Sequence, residues 1–324
     1  MKLPNFEYFE PNDIQEAVAI LQKQPSARIL AGGTDLLVNM KHRVELPEVL
    51  VNIKRIAGLD GIESDDHGIR IGALTPLKRI YSTPWIGERL PALAQAASSV
   101  GAYHHQSMGS LGGNLCQQNR CKFFNQSRWW RSSRPTCYKA GGDICHVVNQ
   151  KEICYSGYCG DVAPALLVLN ATVTLAGAGG TRQIPLEDLF TGDGKAPLQL
   201  DRTEVLTEVA IPRESLDVPS SYIKFANRES IDFPIVGCAF LAAGTGKEYR
   251  IAFTAVDRKP VRGKKVEAFL KGKDLTEDHL KESSGLAAKA ASPARTTVYA
   301  PSYKRKLMGA LVHKAANKAM RRPD

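Results

Sequence analysis

Seven cysteines occur in this 324-residue chain, and six of them, Cys116, Cys121, Cys137, Cys145, Cys154 and Cys159, fall within 44 residues. Only Cys238 stands apart. In a reducing compartment such crowding points to metal ligation rather than to disulfides, because thiols stay reduced there and thiolates bind zinc and iron strongly. The short spacings, Cys116 to Cys121 and Cys154 to Cys159, approach the paired ligands of a structural zinc site but would leave Cys137 and Cys145 unused. A four-iron cluster also takes four thiolates and tolerates irregular spacing, being larger than one ion. Spacing alone leaves both open.

Two glycine loops form the second constellation: Ala31-Gly32-Gly33-Thr34-Asp35 and Ser110-Leu111-Gly112-Gly113-Asn114. Glycines at a turn let backbone N–H groups approach a phosphate, and a following helix N-terminus adds positive potential. The Thr34 and Ser110 hydroxyls add side-chain donors. Neither loop has the G-x-G-x-x-G or Walker A pattern, so neither a Rossmann nor a P-loop site is expected. The neighbouring His104 and His105 receive no role.

The elements that must position these residues alternate between strand and helix. Asn12 or Asp13 caps a helix with Ile14, Ala17, Val18 and Leu21 on one face. ARIL then reads as a strand before the first glycine turn, with Thr34 and Asp35 opening a helix. VLVNI and GIRIG read as strands, and Pro91 starts a helix with Leu93, Ala97 and Val100 on one side. The cysteine region lacks apolar periodicity and is expected to be irregular. Beyond it, VAPALLVL reads as a helix, ATVTLAGAGGTRQI as a hairpin and EVLTEVAIP as a strand. The polar RESLDVPSS marks a boundary. Three strands (YIKFANR, IVGCAFLAAG, YRIAFTAV) and three helical segments follow.

Composition is that of an ordinary globular protein, 43% hydrophobic and 23% charged, and no apolar run approaches the ~20 residues that span a bilayer. The start lacks the layout of a secretory signal, so a cytoplasmic location is expected, with no membrane partner. The net charge of +10 is dispersed and carries no nucleic-acid motif, so no nucleic-acid partner is expected. Part of the excess is local: residues 117–158 hold seven basic side chains against Asp143 and Glu152, a net of +5 suited to an acidic protein partner.

The succession AGGTDLLVNMK, VNIKRI, IGALTPL, SLGGNLC, DVAPALLVL and KFANRESIDFPIV resembles the FAD-binding subunit or domain of the xanthine dehydrogenase and carbon monoxide dehydrogenase family. The resemblance covers nearly the whole chain, including Arg258-Lys259-Pro260, LKGKDL and Tyr303. It implies an α+β fold with a two-part PCMH-like flavin domain. An N-terminal FAD subdomain would span 1–54 and a second 55–214, followed by a C-terminal antiparallel sheet with helices over 215–324. It also implies the flavin contacts. Ile29, Leu30, Ala31, Gly32, Gly33, Thr34, Asp35 and Leu36 match the family's first pyrophosphate loop; Ser110, Leu111, Gly112, Gly113 and Asn114 match the second. Asp161, Leu206 and Lys224 match later contacts.

Family members usually join the second loop to the D-x-x-P-A-L helix by a much shorter connection than the 46 residues between Asn114 and Asp161. So long a structureless loop is unusual in a compact domain, and metal ligation would supply the order it lacks. The insertion resembles that of 4-hydroxybenzoyl-CoA reductase β subunits and, less closely, of bacterial aldehyde oxidoreductases, where it carries a [4Fe–4S] cluster. This implies Cys121, Cys137, Cys145 and Cys154 as ligands. Cys159 falls where relatives often have proline, and Cys116, directly after the GGNL loop, is expected near the flavin. The implied assembly adds a molybdopterin-binding large subunit and a [2Fe–2S] small subunit in an (αβγ)2 heterohexamer. Ferredoxin would donate the electrons for reductive dehydroxylation of 4-hydroxybenzoyl-CoA. The alternatives are an aldehyde or heterocycle oxidoreductase of the same architecture, and a zinc-stabilised nucleotide-binding module without redox activity.

Overall fold

Strand pairing divides the chain into three sheets that follow one another in sequence. The computed structural model describes residues 2–149, 152–243 and 247–321. The first sheet is parallel, with β1 (Glu7–Phe9), β2 (Ala27–Leu30) and β3 (Val49–Asn52) in the order β1-β3-β2. All four residues of the central β3 are buried, as expected for a parallel strand covered on both faces. The helix Ile14–Lys23 covers one face through Ala17, Val18 and Leu21. Its start is capped reciprocally. The Asp13 side chain accepts from the Glu16 N–H at 2.8 Å, and the Glu16 carboxylate accepts from the Asn12 N–H at 2.8 Å.

The second sheet is antiparallel: β4 (Ile62–Asp65), β5 (Gly68–Gly72), β6 (Thr172–Gly177), β7 (Gly180–Pro185) and β8 (Val205–Pro212), ordered β4-β5-β8-β6-β7. The long excursion between β5 and β6 carries helices, the second glycine loop and the cysteine insertion. Pro91 opens the helix Pro91–Ser98, which buries Ala92, Leu93, Ala96 and Ala97. Leu77–Ser82, Pro84–Arg89 and Tyr103–Met108 are short helices that periodicity did not disclose, since six residues complete fewer than two turns. The helix Val162–Val168 is buried on every side, so its sequence is apolar throughout.

The third sheet, antiparallel β9 (Ser220–Phe225), β10 (Val236–Ala243), β11 (Glu248–Thr254) and β12 (Val261–Arg262), runs β12-β11-β10-β9. Helices Lys264–Leu270, Glu277–Ala287 and Pro301–Met320 accompany it, and Phe240, Phe253, Met308 and Val312 share its core. Cys238 is buried there, far from the other cysteines in sequence and in a separate core cluster. No helix among the described residues is long and apolar enough to cross a membrane.

The insertion is largely irregular, with one turn of helix at Arg128–Ser132 and a 3-10 turn at Tyr138–Ala140. Its two ends are fastened to the third sheet's domain. The Lys122 N–H donates to Thr296 O at 2.8 Å, and the Tyr158 N–H to Asp257 O at 3.1 Å. Packing at β10 offers a test of the core. Phe240→Ala is expected to cost about 3–5 kcal/mol, through lost burial and the cavity left behind. The measurement is the denaturant midpoint; a loss below ~1 kcal/mol would mean that the β10 face is not packed as described.

Candidate functional site

The first glycine loop packs against the backbone of Met108 and Gly109, just before the second loop, because Gly32 carries no side chain. A Cβ on Gly32 would lie 1.9 Å from the Met108 carbonyl oxygen, and Gly33 adopts a positive φ of +72°. The second loop is laid along the end of β5. The Leu111 N–H donates to Thr75 O at 3.0 Å and the Gly112 N–H to Ala73 O at 2.8 Å. A Cβ on Gly112 would fall 2.8 Å from that of Ala73. Ser110 caps the short helix Leu111–Leu115 by accepting from the Gly113 N–H at 3.2 Å.

Between the loops lies a cleft of about 420 Å³, a size usual for a small-molecule site. Ile29, Ala31, Gly32, Gly33, Thr34, Asp35, Leu36, Ser110, Gly112, Gly113, Asn114, Asp161 and Leu206 all border it. The N–H groups of Gly32, Gly33 and Thr34 meet no acceptor among the described residues. Such free donors beside an open cleft fit the pyrophosphate of FAD, and apolar walls from Ile53, Leu74, Leu77, Val205 and Leu206 suit a flavin ring. Leu30 and Leu111 do not border the cleft. Both side chains are buried in core clusters, leaving only their backbones toward the loops.

The later contacts divide. Asn114 borders the cleft, but its side-chain oxygen accepts from the Val162 N–H at 3.3 Å and so steadies the next helix. Asp161 is buried, and burial pushes its carboxyl up to about 6, opposed by the Lys224 ammonium and a 2.7 Å hydrogen bond from the Tyr222 hydroxyl. Lys224 departs from the sequence expectation. Its ammonium donates to Ser99 O at 2.8 Å, to Asp232 O at 2.7 Å and to Asp161 at 3.4 Å. With three donors on three internal acceptors, it braces the wall behind Asp161 instead of reaching the cleft.

The six crowded cysteines separate into two groups. Cys116 and Cys159 border the cleft. Burial pushes each of these thiols up to about 12. Cys121, Cys137, Cys145 and Cys154 border a second, small cavity walled by Phe123, Phe124, Tyr138, Ile144, Val147 and Tyr155. The paired-spacing zinc set of Cys116, Cys121, Cys154 and Cys159 is therefore not assembled. Among the described residues no three His, Cys, Asp or Glu side chains are disposed to hold a metal ion. The cavity itself measures about 20 Å³, so a polynuclear centre would need the thiols to move outward. The donor set of four thiols under an aromatic lining fits an iron–sulfur cluster in kind. Lys139, beside this cavity, donates to Asn119 O at 2.9 Å; burial lowers its pKa, with Cys154 and Glu45 opposing.

Several lining residues had no separate signal in the sequence. Arg28, Gln118, Arg120, Ile231 and Phe233 enter the cleft from three different segments. Phe233 lies in the quoted KFANRESIDFPIV stretch, and Arg120 directly precedes Cys121; nothing in their spacing marks either as cleft-facing.

The glycines separate cofactor binding from folding. A Cβ on Gly113 would touch only Ser110 Oγ, at 2.9 Å, and otherwise face the cleft. Gly113→Val is expected to fold, at about 1 kcal/mol for the disturbed cap, and to lose at least about tenfold in FAD affinity. Gly32→Val, driven into the Met108 carbonyl, is expected to lower the melting temperature as well. Flavin content and thermal unfolding of both proteins check this; full FAD occupancy in Gly113→Val would reduce the second loop to a structural turn.

Comparison with known proteins agrees with this geometry. Residues 4–214 match the FAD binding domain in molybdopterin dehydrogenase, and residues 221–319 match the CO dehydrogenase flavoprotein C-terminal domain. The nicotinate dehydrogenase FAD-subunit of Eubacterium barkeri is 30% identical over 281 residues, covering 85% of this chain and 82% of that protein. The carbon monoxide dehydrogenase medium chain of Hydrogenophaga pseudoflava is 30% identical over 324 residues, with 98% of each chain covered. A solved structure of carbon monoxide dehydrogenase from Hydrogenophaga pseudoflava, lacking the Mo-pyranopterin moiety, superposes with a TM-score of 0.80 at 28% identity, covering 98% of both chains. The chain belongs to the family of FAD-binding subunits of molybdenum-containing dehydrogenases, the medium chains of which carbon monoxide dehydrogenase has one.

Proposed function

We propose that this chain is the FAD- and [4Fe–4S]-containing electron-transfer subunit of a complex that reductively dehydroxylates 4-hydroxybenzoyl-CoA to benzoyl-CoA. The observation that carries the reading is the sorting of the cysteines, with four on one aromatic cavity of the insertion and two on the flavin cleft. FAD, when bound, exchanges electrons singly or in pairs and so joins one-electron centres to two-electron chemistry. The chain's own residues hold and shield it. The free N–H groups of the first loop receive the pyrophosphate. Asp161, braced by Lys224 and Tyr222, fixes the wall opposite. Cys121, Cys137, Cys145 and Cys154 hold the cluster.

The partners follow from that role. Chemistry on the thioester needs a molybdopterin-binding large subunit and a [2Fe–2S] small subunit, in an (αβγ)2 assembly, with ferredoxin as donor. The insertion supports an acidic donor at its surface. Trp129 is 82% exposed there, between Arg128 and Arg134, and the Arg134 guanidinium stands 4.0 Å from the Trp130 ring centre. A second reading, the same subunit in an aldehyde or heterocycle oxidoreductase, is favoured by the relatives' names, which include the aldehyde oxidoreductase FAD-binding subunit of Escherichia coli, 30% identical over 280 residues.

Iron, sulfide and flavin analysis tests the cofactors. Wild type is expected to carry about four irons and one FAD. Ser at Cys121, Cys137, Cys145 or Cys154 should lose or convert the cluster, whereas Ser at Cys116 or Cys159 should leave iron unchanged. The reverse pattern, or zinc in place of iron, sinks the assignment. Assay of the purified complex with reduced ferredoxin and 4-hydroxybenzoyl-CoA decides the reaction; oxidation of an aldehyde or heterocycle without dehydroxylation selects the second reading. Arg128→Glu combined with Arg134→Glu is expected to slow reduction by ferredoxin about tenfold at low salt, with the difference shrinking as salt rises. An unchanged rate would move the docking surface elsewhere.

A further inference from the structure

Gln117, Gln118 and Arg120 of the insertion border the flavin cleft, and Arg120 is the residue immediately before a proposed cluster ligand. Arg120 pairs with the Asp35 carboxylate of the first glycine loop. It also donates to Asn39 Oδ1 at 3.3 Å, in the helix that follows that loop. Its guanidinium lies 4.9 Å from the ring centre of Phe233, which borders the cleft from the third sheet's domain. The Gln118 N–H adds a second bond to Asp35, at 3.1 Å.

The backbone of the same residue is tied to the cysteine cavity. The Arg120 N–H donates to Gly157 O at 2.8 Å, and the Gly157 N–H returns a bond to Arg120 O at 2.9 Å. Cys121 follows directly and borders the cavity, as does Cys154, whose thiol lies 3.3 Å from the Ser156 hydroxyl. Asn119, one residue earlier, donates to Ser156 O at 2.9 Å and receives the Lys139 ammonium on its own carbonyl. Residues 119–121 thus face the flavin loops on one side and the thiols on the other.

We infer that Arg120 is a positioning residue that couples the two cofactor sites, so that cluster assembly on Cys121 tightens FAD and FAD in turn retains the cluster. The inference rests on the FAD and cluster reading above. A loop of this length with little regular structure is anchored at its ends by the protein and gains further order from whatever binds it. Once ligation has ordered Cys121, the Arg120 fork is already set against Asp35 and beside Phe233, and FAD meets a closed wall without the ordering cost. The thermodynamic linkage is reciprocal: FAD must slow or weaken cluster loss by the same coupling free energy.

The experiment uses the full chain in two states, reconstituted with ferrous iron and sulfide, and stripped with a chelator. FAD affinity is read from flavin fluorescence, with iron and sulfide measured on each sample. In wild type, cluster loading is expected to tighten FAD about tenfold, within the usual span of coupling energies. In Arg120→Met the loaded chain should keep its iron while the ratio of the two affinities falls to about one. A merely structural arginine would weaken FAD equally in both states and leave that ratio intact, which overturns the coupling. Should the methionine chain fail to fold, Arg120→Lys serves. It keeps the charge without the two-pronged grip, and its ratio should fall below half of wild type's; a full ratio overturns the proposal. A wild-type chain that loads iron yet binds FAD equally in both states sinks the linkage alone. One that takes up no iron sinks the cluster reading and the linkage with it.

Discussion

The backbone approach of Gly32 to Met108 is the constraint on which the site depends. At that contact there is room for a hydrogen and for no carbon, since a Cβ would lie 1.9 Å from a carbonyl oxygen. The first sheet and the helical excursion of the second can share one cleft only because residue 32 is glycine. Beside the cleft, the Gly32, Gly33 and Thr34 N–H groups meet no acceptor among the described residues. Donors without protein acceptors are costly unless water or a ligand meets them. The loop is therefore already built for an anion.

Charge at the cleft is organised by burial. Asp161 sits where water is excluded, and its carboxyl is raised to about 6 in spite of Lys224 and Tyr222 beside it. Lys224 in turn has no proton left for a ligand. The two act as one unit, holding β9, the Ser99 carbonyl and the 231–233 segment that borders the cleft. Loss of either partner would leave the other buried and uncompensated, which is more damaging than loss of the pair.

The insertion is ordered from its ends. Hydrogen bonds to Asp257, Arg258 and Thr296 fasten its two ends to the third sheet's domain, and Arg120 fastens it to the first loop. Between those anchors lie short turns, aromatic contacts with arginine and lysine such as Arg131 over Phe124 and Lys139 over Phe124, and hydrogen bonds such as Arg131 to the Arg43 carbonyl and the Cys154 N–H to Asp193.

The α+β class came from the family resemblance, while the sequence by itself determined most of the strands, the capped helix at Asp13, the buried helix at Val162 and the two glycine loops. Each of these is written in local pattern, as apolar runs, alternation, caps and glycine pairs. The short helices at Leu77, Pro84 and Tyr103 were illegible because so few residues carry no periodicity. Tertiary structure alone decided which thiols share a wall, since irregular spacing over 44 residues permits many pairings. It alone turned Lys224 inward, where three internal oxygens occupy its donors, and carried Arg120 to Asp35 across 85 residues. Such long-range partners depend on how the sheets and their connections pack, and no window of sequence contains both ends of the contact.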